Sequence, residues 1–351
     1  MKKKKPTVVS IYSGGGGLDV GFKNAGFEIV LATDNWLQAT QTLQKNNVGC
    51  KVIHADIREV DFKKEIKILC PQGVDCVVGG PPCPAYSKSR FYRIEKKRAL
   101  EDENAFTLSE FFRTIDEVKP KIFLLENVHG FVYKPHSAAL EYVKKRSQEL
   151  GYKISYKVIN AANYGIPQTR YRFICVGSKN NLEQYDFPPE THIDPRSDSN
   201  NRSLKKWVTS GDAINDLDIP LIEDVQMQAG SKHKDLLKKI PPGDNYLYFT
   251  KERGYPDPKF KWRSRYWSFL LKLSPEKPSW TIQASHSNNM GPFHWQNRFL
   301  RINEIMRLQT FPDNYKFTGD FRSQWRQIGN AVPPLLAEVL AKQIRKQYFS
   351  D

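Results

Sequence analysis

Between residues 7 and 125, five short runs of branched apolar residues alternate with stretches of helical period. Few architectures accept that alternation. "TVVSIY" (7–12), "EIVLA" (28–32), "KVIHA" (51–55), "VDCVV" (74–78) and "KIFLL" (121–125) have strand character. "LDVGFKNAG", "WLQATQTLQKNN" and a pattern through 106–118 read as helices between them. Repeated βαβ units predict an α/β fold with a mostly parallel, Rossmann-like sheet and helices on both faces. "KISYKVINA" and "RYRFICVG" flank "ANYGIPQT", which predicts a hairpin. "INEIMRLQTFPD" is helix-like, and "VPPLLAEVLAKQIRKQYF" predicts a closing amphipathic helix.

In open α/β sheets, ligands bind outside the carboxyl ends of the strands. Five exits here deliver Gly14-Gly15-Gly16-Gly17, then Asp34, Asp56, Cys83 and finally Glu126-Asn127. Taken singly, each is weak; an aspartate after a strand is usually a turn residue. Their convergence predicts one site. Cys83 lies in "GGPPCPAYS", on stiff proline-rich backbone, whereas a structural thiol belongs inside an apolar run, as Cys76 does. The glycine loop fails the dinucleotide fingerprint, because Asp19 stands where the last glycine belongs. It fails the phosphate-loop pattern too, with Phe22 in place of lysine. Asp34 is placed to accept from ribose hydroxyls. A ribose-bearing cofactor without phosphates fits, and S-adenosylmethionine is the common one. Asp56 is a candidate acceptor for an adenine amino group. Trp36 reads equally as a cover for adenine or as helix core.

Charge narrows the partner. The chain has 54 Lys+Arg against 38 Asp+Glu, a net +16, which favours a polyanion and nucleic acid before membrane. Cys50, Cys70, Cys76, Cys83 and Cys175 show no metal-knuckle spacing, and no secretory signal precedes them. The expectation is a reduced cytoplasmic protein, associated with nucleic acid, without metal or membrane span, acting as a monomer. Composition shifts near residue 179, and 179–279 shows little periodicity. Within it, "KFKWRSRYWSF" (259–269) suits phosphate contact with base packing, or an amphipathic strand with a solvated basic face. The charged stretch 86–106 reads as a solvated loop or as a lid.

Six motifs, "SIYSGGGGLDVGF", "GGPPCPAYS", "LLENVHGF", "PQTRYRFICVG", "RLQTFPD" and "QIGNAVPPLLA", carry a resemblance in order and spacing. The chain resembles the bacterial cytosine-5 DNA methyltransferases from about residue 7 to 345, apart from the variable 179–279. The resemblance implies an S-adenosylmethionine-binding catalytic domain at 1–178, a smaller target-recognition domain at 179–323, and a segment at 324–351 completing the catalytic domain. It implies that Cys83 is the nucleophile, that Glu126 engages the cytosine at ring nitrogen-3, and that Arg170 and Arg172 belong to the catalytic set. Cofactor contacts are implied for Tyr12, Ser13, Gly14, Gly16, Gly17, Leu18, Asp34 and Asn35. Asp56, Ile57, Pro81, Asn330, Ala331 and Val332 complete that set. Ser87, Lys88, Ser89, Arg90 and Asn127 are implied for the substrate, duplex DNA with one cytosine flipped out. Three departures stand out: Pro84 where the family usually has glutamine, Gly15 for an apolar residue, and Asn35 for a larger one. A tRNA cytosine-5 methyltransferase is the nearest rival, and a non-catalytic DNA-binding relative the next. A nicotinamide oxidoreductase is opposed by the failed dinucleotide fingerprint.

Overall fold

The structure, a computed structural model, describes residues 4–46, 49–82, 106–133, 137–197, 203–225, 227–285 and 287–349. Its centre is a seven-stranded sheet with strands β1 (Thr7–Ile11), β2 (Glu28–Asp34), β3 (Lys51–His54), β4 (Cys76–Gly79), β5 (Ile122–Val128), β6 (Tyr152–Asn160) and β8 (Tyr171–Lys179). The two-residue β7 (Gln168–Thr169) lies outside it. The order is β3-β2-β1-β4-β5-β8-β6, and β8 runs antiparallel to both neighbours. The expected hairpin is therefore present, and the other pairs are parallel as expected. The order reverses between β1 and β4, so a crevice opens at the carboxyl ends beside β1.

Neighbouring residues on one strand serve opposite faces, as the two-residue period requires. Val8 packs with Leu18, Phe22 and the last helix's Leu336, Leu340 and Ile344. Val9 packs on the other side with Phe62, Phe111, Phe112 and Phe123. Burying both faces explains why these strands read as unbroken apolar runs. Each such side chain contributes about 1.5–3 kcal/mol when fully removed from water.

The helices are α1 (Gly17–Asn24), α2 (Leu37–Asn46), α3 (Phe62–Leu69), α4 (Phe106–Val118), α5 (Ser137–Glu149), α6 (Ser210–Ile214), α7 (Lys234–Lys239), α8 (Ile302–Leu308), α9 (Phe321–Asn330) and α10 (Pro334–Tyr348). Proline at the first position of α10 suits a helix start, where no amide donor is needed. α10 lies close on α1: a Cβ on Gly21 would stand 2.4 Å from the Ala337 Cβ, and one on Gly17 would stand 2.0 Å from the Val332 carbonyl oxygen. Two further apolar clusters are built mainly from the second half of the chain, the first also taking in Val20 of α1. One joins Ile214, Leu273, Ile282, Ile305, Trp325 and Ile328, and the other joins Leu237, Tyr246, Phe249, Leu270 and Phe293.

Two expectations change. β2 and β5 run further than read, so Asp34 ends β2, and Glu126 and Asn127 lie within β5 near its end, rather than after the strands. The antiparallel partner β8 prolongs β5, pairing Glu126 with Ile174 and Asn127 with Phe173. The stretch 259–269 is turns, not an amphipathic strand. Arg263 is left-handed at φ 52°, and Tyr246 hydrogen-bonds both the amide and the carbonyl of Arg265, which takes those groups from any sheet ladder.

Candidate active site

The glycine loop after β1 is shaped by Asp34 and by residues near the C-terminus. Gly14, at φ 53°, donates its amide to Asp34 Oδ2 at 2.8 Å, and Trp36 donates to Oδ1 at 2.9 Å. Burial pushes the Asp34 carboxyl up, and these two amides oppose the shift. Tyr315 donates its hydroxyl to the Gly15 carbonyl at 2.9 Å. A Cβ on Gly15 would stand 3.0 Å from Phe317, and one on Gly16 would stand 2.4 Å from the Tyr315 hydroxyl. Phe317 thus fills the space that an apolar residue 15 would need. Gly16 faces Tyr315 and not the crevice. Above Gly14 a Cβ would meet nothing within 4 Å, so that side of the loop is open to a ligand.

The crevice is a single cleft of about 840 Å³. It collects Tyr12, Ser13, Gly14, Gly17, Leu18, Asp34, Asn35, Asp56, Ile57 and Pro81 from the expected cofactor set, and Asn330, Ala331 and Val332 from the far end of the chain. Glu126, Asn127, Arg170 and Arg172 line the same cleft. Of the expected cofactor set, Gly16 alone does not. Cys83, Pro84, Ser87, Lys88, Ser89 and Arg90 lie outside the described residues, as does most of the 86–106 stretch.

Trp36 is not helix core. It is half-buried on the cleft wall, with the Arg326 guanidinium 4.6 Å from its ring centroid. Asp56 accepts from Arg58 Nε at 2.9 Å, and Arg58 holds its carboxyl down at about 2. Cleft residues that the sequence did not point to include Thr107, Tyr133, Arg326 and the run 281–285. Neither motif nor periodicity marks that run, and long-range packing alone brings it here.

At one end of the cleft, Glu126 is buried and pairs with Arg172, whose Nε stands 2.8 Å from Oε1. Gly80 makes room, since a Cβ there would stand 2.9 Å from Glu126 Oε2. Burial pushes the Glu126 carboxyl up, while Arg172 and then Arg170 pull it down. Arg170 is wholly buried, and its two Nη atoms donate to protein acceptors: the carbonyls of Ile282 (3.1 Å), Gly329 (2.9 Å) and Ala331 (3.0 Å), and Gln168 Oε1 (3.3 Å). It ties the 329–331 turn to the end of β7. Asn127 Nδ2 donates to the Pro81 carbonyl at 3.3 Å, and Thr107 Oγ1 donates to the Pro82 carbonyl at 3.1 Å. The two residues before Cys83 are therefore fixed on the cleft wall.

The four described thiols are not part of this cleft. Cys76 sits inside the sheet core, and burial pushes its thiol well up. Among the described residues no group of histidine, cysteine and carboxylate side chains is arranged to hold a metal ion. Among them, too, no helix is long and apolar enough to cross a membrane.

The family model for C-5 cytosine-specific DNA methylase matches residues 7–346. A type II methyltransferase of Streptomyces achromogenes, M.SacI, is 36% identical over 367 residues, covering 97% of this chain and 93% of the relative. M.NgoFVII of Neisseria gonorrhoeae, also a type II methyltransferase, is 31% identical over 350 residues, covering 99% and 88%. A solved E. coli structure, a putative DNA modification methyltransferase encoded within a prophage, superimposes with a TM-score of 0.71 at 21% identity, covering 99% of this chain and all of that one.

Proposed function

We propose, from the premise that this chain belongs to the C-5 cytosine-specific DNA methylase family and is a DNA cytosine-5 methyltransferase, a specific division of labour among its residues. The cleft residues around Gly14, Asp34 and Asp56 hold S-adenosylmethionine. The open face of Gly14, the acceptor oxygens of Asp34 and the absence of any phosphate-loop lysine fit an adenosyl group without phosphates. When bound, that cofactor supplies a methyl group carried on a sulfonium.

Cys83 then acts as a thiolate on carbon-6 of a cytosine turned out of the duplex, which makes carbon-5 nucleophilic. Glu126 holds a proton at ring nitrogen-3 and stabilises the adduct. After carbon-5 has taken the methyl group, loss of its proton lets the thiolate leave. Arg172 orients Glu126 and presents its guanidinium to the cytosine carbonyl. Arg170 is a positioning residue, because its bonds go to backbone carbonyls and Gln168. Asn127 acts similarly, holding the strand exit before Cys83. The observation that carries this reading is the buried Glu126–Arg172 pair beside Pro81-Pro82, in the same cleft as Asp34. We divide the chain at 178 and 323, since 324–351 packs on α1 and the cluster around Tyr246 lies wholly in the segment between, while the cluster around Ile214 joins that segment to Val20, Trp325 and Ile328. The substrate is duplex DNA, in keeping with the C-5 cytosine-specific DNA methylase family, and the segment 179–323 reads its sequence.

The test is incubation with S-adenosylmethionine and mixed-sequence duplex DNA, with tRNA in parallel, followed by bisulfite mapping. Methylated cytosines in one DNA sequence context are expected. Methylation confined to tRNA, or none, overturns the reading. A second result concerns the cofactor. Asp34→Ala is expected to weaken S-adenosylmethionine binding by about 1.5–3 kcal/mol, the worth of a charge-assisted acceptor. Asp34→Asn should lose less, because one oxygen acceptor remains. Unchanged affinity of Asp34→Ala by calorimetry would remove Asp34 from the site.

A further inference from the structure

The residues 261–267, Lys-Trp-Arg-Ser-Arg-Tyr-Trp, are all exposed. Trp267 is 50% exposed and Trp280 43%, yet their rings touch, with centroids 5.4 Å apart. Single exposed apolar residues are ordinary on a protein surface, but two tryptophans paired in the open are not. The backbone beneath them is fixed. The buried Tyr246 hydroxyl donates to the Arg265 carbonyl at 2.8 Å, and buried Asn245 donates to the Trp267 carbonyl at 2.7 Å. Rings with only two side-chain torsions on a rigid support lose little entropy on binding.

Their place is also informative. Trp280 ends the short strand Ser279–Trp280, which pairs with β7 immediately before Arg170. The next residues, Thr281 through Ser285, line the cleft. The tryptophan pair therefore stands beside the reaction site. Charge identifies what it meets. Arg253 and Lys259 are paired with Asp244 and Asp257, whereas Arg263 lies beside the Trp262 ring and Arg265 beside Phe269. Among the described residues no carboxylate pairs with Arg263 or Arg265. Aromatic faces flanked by unpaired cations match bases flanked by phosphates.

We infer that Trp267 and Trp280 form a stacking platform for a base exposed where the duplex opens around the target cytosine, with Arg263 and Arg265 on the adjoining phosphates. This rests on the reading of the chain as a DNA methyltransferase that turns its base out. The platform holds the opened duplex against the cleft and takes no part in the chemistry.

The test uses the full-length enzyme and a duplex containing its mapped target, with 2-aminopurine next to the cytosine as a stacking probe. Trp267→Ala and Trp280→Ala should each raise the DNA Kd and KM by about five- to a hundred-fold. Saturating kcat and the calorimetric affinity for S-adenosylmethionine should stay at wild-type values, and the phenylalanine variants should recover most of the loss. Quenching of 2-aminopurine on binding should fall in the alanine variants. Arg263→Ala and Arg265→Ala should instead make the dependence of log Kd on log salt shallower by about one each. Wild-type Kd, KM and quenching in both tryptophan variants overturn the platform while leaving the methyltransferase reading intact. Failure of the wild-type enzyme to methylate the duplex overturns that reading, and the platform with it.

Discussion

Cys83→Ala is expected to lose methyl transfer by at least about ten-thousand-fold while still binding target DNA. The substitution removes one sulfur atom and leaves the basic surface, the recognition segment and the cofactor cleft in place. Phosphate contacts dominate DNA affinity, so binding should persist and should fall steeply with added salt. The smaller side chain also makes room for the turned-out base, so affinity is expected to hold or rise. The decisive reading is covalent. On duplex DNA carrying 5-fluorocytosine the wild-type enzyme should stall as an adduct, since fluorine at carbon-5 cannot leave as the proton does. Denaturing electrophoresis after incubation with S-adenosylmethionine should show a shifted band for wild type and none for Cys83→Ala, with unchanged cofactor affinity by calorimetry as the check on folding. An equally strong band from the variant would sink the assignment. Cys76 is a poor substitute, because it is buried in the sheet core with its thiol pushed well up.

The parallel sheet was legible because its strands are buried on both faces and so read as apolar runs, each ending in a residue with chemistry. The gathering of Gly14, Asp34, Asp56 and Glu126 into one cleft follows from that topology alone. What escaped depends on contacts far apart in the chain. Arg170 belongs to a motif, but its hydrogen bonds to Gly329 and Ala331, about 160 residues away, follow from no local pattern. Arg326 over Trp36 is a similar case. Glu126 read as a loop residue because an antiparallel neighbour cannot be inferred from the strand it prolongs. The 259–269 stretch alternates basic and aromatic residues as a strand would, and buried Tyr246 overrides that pattern by binding its backbone.

Glu126→Gln is expected to lower methyl transfer by about a hundred- to ten-thousand-fold, and its pH dependence shows why. The proposed role needs a proton on the carboxyl at the moment the thiolate adds. Burial pushes this carboxyl up more than Arg172 and Arg170 pull it down. The wild-type rate should therefore fall as pH rises through the Glu126 pKa, at a pH above the ordinary carboxylate range. Glutamine cannot titrate, so that limb should vanish from the variant's residual activity. Stability supplies a second check with a definite sign. A carboxyl whose folded pKa lies above its unfolded value contributes stability that is present at low pH and lost as pH rises through the folded pKa. Glutamine is neutral at every pH, so the variant's stability carries no such dependence on this site. The margin between the melting temperatures of wild type and Glu126→Gln should therefore narrow as pH rises through the Glu126 pKa, above the ordinary carboxylate range. A margin that widens with pH would mean that the ion pair outweighs burial. Glu126 would then be a standing anion, unable to lend a proton to the ring.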